Sequence, residues 1–263
     1  LQVKPWKRVH CVLPVNEDRM KRTSGDRAFS LTVLLPFAVA IGYLHYSKDV
    51  PFKCFIYGSG SWGFGCILKL VLYHGVVRRL RHDPSRILGT AALNGLVSGI
   101  TELGFALVFF AFLPVLTFWE VVAFGVGIGT IEAFVGATTA NPLKGTALEK
   151  SADELEAMVG RLSGGPRLVY GYILPFSERV IAAVIHIGTR GLVYVAYHSA
   201  NPLPLVMALA AFFLADGIIG YRLIHQGRLC DLRALNKTYA GLSAIAVIVL
   251  AGFLLYWPEG GYG

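Results

Sequence analysis

Residues 88–113 read LGTAALNGLVSGITELGFALVFFAFL, and this stretch decides the class of the fold. It carries a single charge, Glu102, in an otherwise apolar or small-residue run. At 1.5 Å per residue a helix of this length exceeds the roughly 30 Å hydrocarbon core of a bilayer. Similar stretches recur at 29–47, 54–77, 115–138, 176–198, 203–222 and 240–257. The expectation is an all-α, polytopic transmembrane bundle of about seven spans. Its parts are a basic tail at 1–28, a bundle over 29–257 that includes a long connection at 139–175, and a short tail at 258–263.

Composition agrees. Of the 263 residues 55% are hydrophobic and only 15% charged, and mean hydropathy is +0.59. Soluble domains carry about 25% charged residues, so this chain lacks the polar surface to stay in water. Soluble enzymes, disordered tails and nucleic-acid modules are excluded. Cys11, Cys54, Cys66 and Cys230 show neither paired nor metal-finger spacing and read as ordinary buried or interfacial thiols. Residues 1–28 are too polar for a secretory signal.

Lys and Arg set the orientation. The tail holds Lys4, Lys7, Arg8, Arg19, Lys21, Arg22 and Arg27. The connections that share its side hold Arg78, Arg79, Arg81 and Arg86, then Lys144, Lys150, Arg161 and Arg167, then Arg222, Arg228, Arg233 and Lys237. The opposite side has Lys48 and Lys53. A cytoplasmic N-terminus in a plasma membrane follows, with the net charge of +8 directed at anionic lipid headgroups and no nucleic acid required. Apolar residues at helical intervals beside Glu149, Asp153, Glu154 and Glu156 predict an amphipathic surface helix at 148–159. That loop and the basic tail are candidate docking surfaces for a membrane-protein partner, although charge runs of this kind also suit a plain solvated face.

Gly125-Val-Gly127-Ile-Gly129 resembles a phosphate loop only superficially, because no strand precedes it. Gly125 and Gly129 sit four apart on one helix face, where small residues let backbones approach.

The informative residues are the ionisable ones inside the spans: Lys69, Glu102, Glu132, Glu178, Arg179, His186, Arg190 and Asp216. Each would cost roughly 2.5–3.5 kcal/mol at the bilayer centre if it faced lipid, so they must face one another, water or a ligand. Alternating span direction brings Glu102, Glu132, His186 and Asp216 to the middle and cytoplasmic half of the bundle. His186 and Arg190 share a helix face. Such a cavity suits metal binding, proton relay or substrate binding. It equally suits mutual pairing that fixes helix register, and Glu178 also suits helix capping.

Three segments resemble the YhfC-like family of intramembrane metalloproteases, relatives of the CPBP and PrsW-type membrane proteases. They are Gly99-Ile-Thr-Glu102-Leu-Gly104-Phe105, Phe124-Gly-Val-Gly-Ile128-Gly-Thr-Ile-Glu132, and the Glu178-to-His186 helix that continues to Gly188 and Thr189. The likeness covers roughly 50–225. It implies zinc held by Glu132 and His186, with Glu102 as catalytic base; Glu178 is a further ligand candidate, and the charges inside the spans add Arg190 and Asp216 to the same polar cavity. Thr101 stands where the family's first glutamate is expected, Phe105 at its arginine and Ile128 at a ligand histidine. The expectation is therefore a degenerate relative acting as a non-catalytic, membrane-embedded binding or assembly subunit. An active zinc protease is the alternative. A proton-coupled or solute transporter ranks third, because no inverted repeat is evident and the helices are interrupted mainly at their ends.

Overall fold

The computed structural model describes residues 33–72, 87–138, 173–224 and 232–262, together with Gly75, 163–165 and Val169. The basic tail, the amphipathic segment expected at 148–159 and most of the long connection lie outside the described residues.

The elements follow one another as helices: α1 (Leu35–Ser47), α2 (Lys53–Leu72), α3 (Ile87–Ser98), a π-helical turn (Gly99–Leu103), α4 (Gly104–Phe112), α5 (Phe118–Thr138), α6 (Leu174–Ser199), α7 (Pro202–Ile224) and α8 (Leu232–Tyr256). Among the described residues six stretches are long and apolar enough to cross a membrane: α2, the continuous α3–α4 rod, α5, α6, α7 and α8. The seventh expected span is represented by α1, whose 13 residues reach about 20 Å and fall short of a hydrocarbon core.

Helix boundaries follow local chemistry. Pro114 forces Leu113 into extended backbone and ends α4. α5 opens on a capping box: the Glu120 N–H donates to Thr117 Oγ1 and the Thr117 N–H donates to Glu120 Oε2 at 2.7 Å. α6 stops at Ala200, which adopts a left-handed φ of 53°. Asn201 Oδ1 then accepts the Leu203 N–H, and Pro202 takes the first turn of α7, where its missing donor is harmless.

α6 is the central helix. It packs on α4, α5, α7 and α8, and 67% of its span is buried, against 22% for α2 and 28% for α7 and α8. Around it α3 pairs with α7 and α2 with α5. Backbones meet closely at glycine. A Cβ on Gly125 would strike Ile187 Cα, and one on Gly129 would crowd Ala183, so this face of α5 lies against α6 as its spacing indicates. Gly127 turns the other way, onto the Phe55 carbonyl of α2, and Gly58 of α2 lies on the Phe124 carbonyl of α5. Gly188 and Gly191 admit α8 through Val249 and Phe253.

One end of the bundle is closed by aromatic side chains. Phe118 stacks on Phe253, Tyr194 on Trp257, and Tyr262 meets Tyr194, His198 and Trp257. Tyr194 Oη accepts the Leu116 N–H at 2.6 Å and donates to the Leu116 carbonyl at 3.0 Å, so one hydroxyl satisfies both backbone groups of that buried loop residue. Lys69, Glu102, Glu132, Glu178, Arg179, His186, Arg190 and Asp216 lie away from this end.

The expectation that interruptions fall at helix ends needs correction. The α3–α4 rod is interrupted in mid-span by the π turn at Gly99–Leu103, and that turn carries Glu102. Single π turns inserted in helices often sit at functional positions.

Candidate functional site: an intramembrane ion-pair core

Two chains of charged side chains run through the bundle. The first joins four elements: Asp216 of α7, Lys69 of α2, Glu102 of the π turn and Arg190 of α6. Lys69 Nζ donates to Asp216 Oδ2 at 2.8 Å and to Glu102 Oε1 at 3.3 Å. Arg190 Nη2 donates to Glu102 Oε2 at 3.3 Å. Each oxygen of Glu102 thus has its own cation. Two acids and two bases alternate, so the quartet is neutral and needs no ion from outside. Burial deepens along it: the side chains of Lys69 and Asp216 are 25% and 20% exposed, Glu102 4% and Arg190 0%. Arg190 is further held by Thr189 Oγ1 at 3.0 Å and by the Phe212 ring, 4.6 Å from its guanidinium carbon.

The local sequence explains the placement of Glu102. Thr101 turns its hydroxyl back onto the Val97 carbonyl, which satisfies a side chain that would otherwise be orphaned in the core. Across from the turn, Gly65 lets α2 approach until a Cβ there would lie 3.0 Å from Glu102 Cα. The small residue brings Lys69, one turn further on, within reach.

The second chain joins α5, α6 and α8. Glu132 Oε2 contacts His186 Nε2 at 2.5 Å, and Glu132 Oε1 accepts from Arg179 Nη1 at 3.4 Å. Arg179 Nη2 donates to Glu178 Oε1 at 2.8 Å, and Tyr239 Oη donates to Glu178 Oε2 at 2.7 Å. The two chains approach each other on α6, where His186 and Arg190 are one turn apart and both pack on Phe212.

The structure therefore gathers every candidate residue, Glu102, Glu132, Glu178, His186, Arg190 and Asp216, into two linked networks. Sequence reasoning singled out Lys69 and Arg179 as charges that need a partner but gave them no place in the site, and it missed Tyr239. For the two cations the signal was present, since a charge inside a span demands a partner. For Tyr239 none was. His198 lies in the aromatic cluster at the other end, 4.4 Å from the Tyr194 ring.

Comparison with family models, with curated proteins and with solved structures gives no match. No family is assigned on that ground. What the chain can do must be argued from its own side chains.

The donor set can be tested against zinc. Catalytic zinc takes three protein ligands and an open position. Among the described residues no three His, Cys, Asp or Glu side chains converge closely enough to hold a metal ion. Between Glu132 and Glu178 sits the Arg179 guanidinium, which supplies the positive charge a metal would bring. His186 Nδ1 is buried without a partner, whereas a ligating imidazole has its second nitrogen held by a hydrogen bond. Ile128, at the position of the expected histidine, is fully buried in the apolar core. As placed, the described side chains do not by themselves make up a zinc site.

Proposed function

We propose that the chain is a membrane-embedded binding or assembly subunit. On this reading it shares an architecture with the YhfC-like intramembrane metalloproteases and uses their polar core to fix helix register instead of to hydrolyse peptide bonds. The observation that carries the reading is the alternation Asp216–Lys69–Glu102–Arg190. A carboxylate is a better general base when cations do not already stabilise its charged form. Here both oxygens of Glu102 are committed to cations. Burying such a quartet costs desolvation, and what it supplies in return is a fixed arrangement of four elements. Lys69 and Arg190 pull opposite sides of the bundle onto the π turn.

The orientation adopted with this reading places the N-terminus in the cytoplasm and the ion-pair core in the cytoplasmic half, within a plasma membrane. The docking surfaces for a partner are the basic tail at 1–28 and the loop at 148–159.

The metalloprotease reading rests on one contact, Glu132 with His186, which joins the two residues the family resemblance assigns to metal. Elemental analysis of the purified, chelator-free protein separates the two readings. The subunit reading expects substoichiometric zinc, and a Glu102→Gln protein that is less stable but changes no cleavage of co-expressed membrane substrates. One zinc per chain, lost on His186→Ala, together with cleavage abolished by Glu102→Gln, would overturn it.

A further inference from the structure

The deepest members of the quartet, Glu102 and Arg190, lie behind its two most exposed ones. Lys69 and Asp216 belong to α2 and α7, helices that pack mainly on other partners: α2 on α5 and the π turn, α7 on α3 and α6. Their ion pair bridges the seam between those helices, in front of Glu102. From the geometry we infer that the Lys69–Asp216 pair is a latch over a lateral entrance to the polar core, and that the entrance opens when the C-terminal half of α2 swings away from α7.

The two halves of α2 are held very differently. The N-terminal half is pinned to α5. Gly58 sits on the Phe124 carbonyl, Gly127 of α5 sits on the Phe55 carbonyl, and Ser59 Oγ donates to the Gly127 carbonyl at 2.9 Å. Backbone contacts of this closeness leave no room for sliding. The C-terminal half turns Phe64, Ile67, Leu70 and Val71 outward, each more than half exposed, and is attached mainly through side chains. Its attachments are Gly65 against Glu102, Phe64 stacked on Phe105 of α4 and close to Phe109, and the two ion pairs of Lys69. Its backbone is less tightly interlocked than that of the N-terminal half: a Cβ on Gly65 would lie 3.0 Å from Glu102 Cα, where one on Gly58 would strike the Phe124 carbonyl oxygen. The less interlocked part of a helix is the part that opens locally. The pivot is the glycine-rich middle of α2, where a Cβ on Gly63 would meet nothing within 4 Å.

Behind the latch the core offers something to reach. Arg190 is fully buried, yet its Nε–H has no acceptor, and the same holds for Ser98 Oγ, one residue before the π turn. Buried donors without partners are rare and call for a guest, which can be water or a polar group of an entering segment. Access through this seam does not depend on whether the core is catalytic.

Cys66 provides the test. It lies next to Gly65 on α2, is partly buried, and shares the electrostatic field of Lys69, Glu102 and Asp216. In full-length protein carrying Cys11→Ser, Cys54→Ser and Cys230→Ser, reconstituted in nanodiscs, the rate of Cys66 modification by a membrane-impermeant methanethiosulfonate is measured. The rate with a small neutral thiol reagent, measured alongside, carries the direct effect of the Asp216 charge on the thiol. Relative to it, Asp216→Asn is expected to raise the methanethiosulfonate rate by about tenfold or more, as when a part-buried ion pair stops opposing a local opening, while Lys69→Arg stays near the parent. An unchanged ratio of the two rates in Asp216→Asn would overturn the latch. Should that variant not fold, spin labels at Leu72→Cys and Ile219→Cys read the α2–α7 separation with the ion pair intact. A second, longer distance that gains population in Asp216→Glu supports the swing, and a single narrow distance in both proteins excludes it.

Discussion

Glu132 and His186 are 54 positions apart and on different helices, yet their side chains meet at 2.5 Å between Oε2 and Nε2. The contact ties α5 to α6 where Gly129 already brings the two backbones together over Ala183. Small residues set the helix spacing, and the polar pair then fixes the rotation. The same division recurs at Gly65 with Lys69, and it shapes what substitutions should do.

Arg190→Leu leaves the buried Glu102 with Lys69 alone. Removing one partner of a buried pair typically costs about 3–5 kcal/mol. The expected outcome is a loss of that order in detergent unfolding, partly recovered in Arg190→Leu combined with Glu102→Gln, which removes the stranded charge. Additive losses in the double variant would show that the two residues do not act as a pair.

Glycine substitutions should separate by position. Gly125→Ala drives a methyl into Ile187 Cα and Gly127→Ala drives one into the Phe55 carbonyl, so each should destabilise by about 1–3 kcal/mol. Gly42→Ala meets nothing within 4 Å and should be neutral or slightly stabilising. Thermal melts of the three proteins in one detergent check the ranking.

Tyr194→Phe keeps the ring among Phe110, Trp257 and Tyr262 but removes the hydroxyl that serves both backbone groups of Leu116. An unsatisfied buried group costs about 1–3 kcal/mol. A melting temperature equal to the parent's would mean that water takes over the role of the hydroxyl.

The C-terminal fold-back should respond to alkali. Burial raises the Tyr262 phenol above its ordinary 10.0, against a smaller opposite effect of its hydrogen bond with Ser199. An acid whose folded value is raised is stabilised in its neutral form. Its contribution is complete below pH 10.0 and is lost as pH rises through the higher folded value. Trp257 fluorescence, which reports contact with Tyr262, should change above pH 10.0, and the change should disappear in Tyr262→Phe.

Topology is open to a direct measurement. With seven spans, reporters fused before residue 29 and after Tyr256 lie on opposite sides of the membrane, the first in the cytoplasm. Reporters on the same side would mean that α1 does not cross, consistent with the 13 residues of Leu35–Ser47.

The membrane class, the helical elements and the convergence of charge were all legible in the sequence. The physical reason is that hydrocarbon penalises every unpaired polar group, so apolar length and isolated charges speak for themselves. Glu102, Glu132, Glu178, His186, Arg190 and Asp216 stood out for that reason alone. The pairing was decided only by the fold. Lys69 reaches Glu102 because Gly65 admits α2 to the π turn, and Arg179 sits between Glu132 and Glu178 because α5 lies against α6. The π turn itself has no signature in the apolar run around Gly99–Leu103. A linear pattern specifies how much charge must be neutralised, while helix rotation and the interhelical distance set by glycine select which acid meets which base.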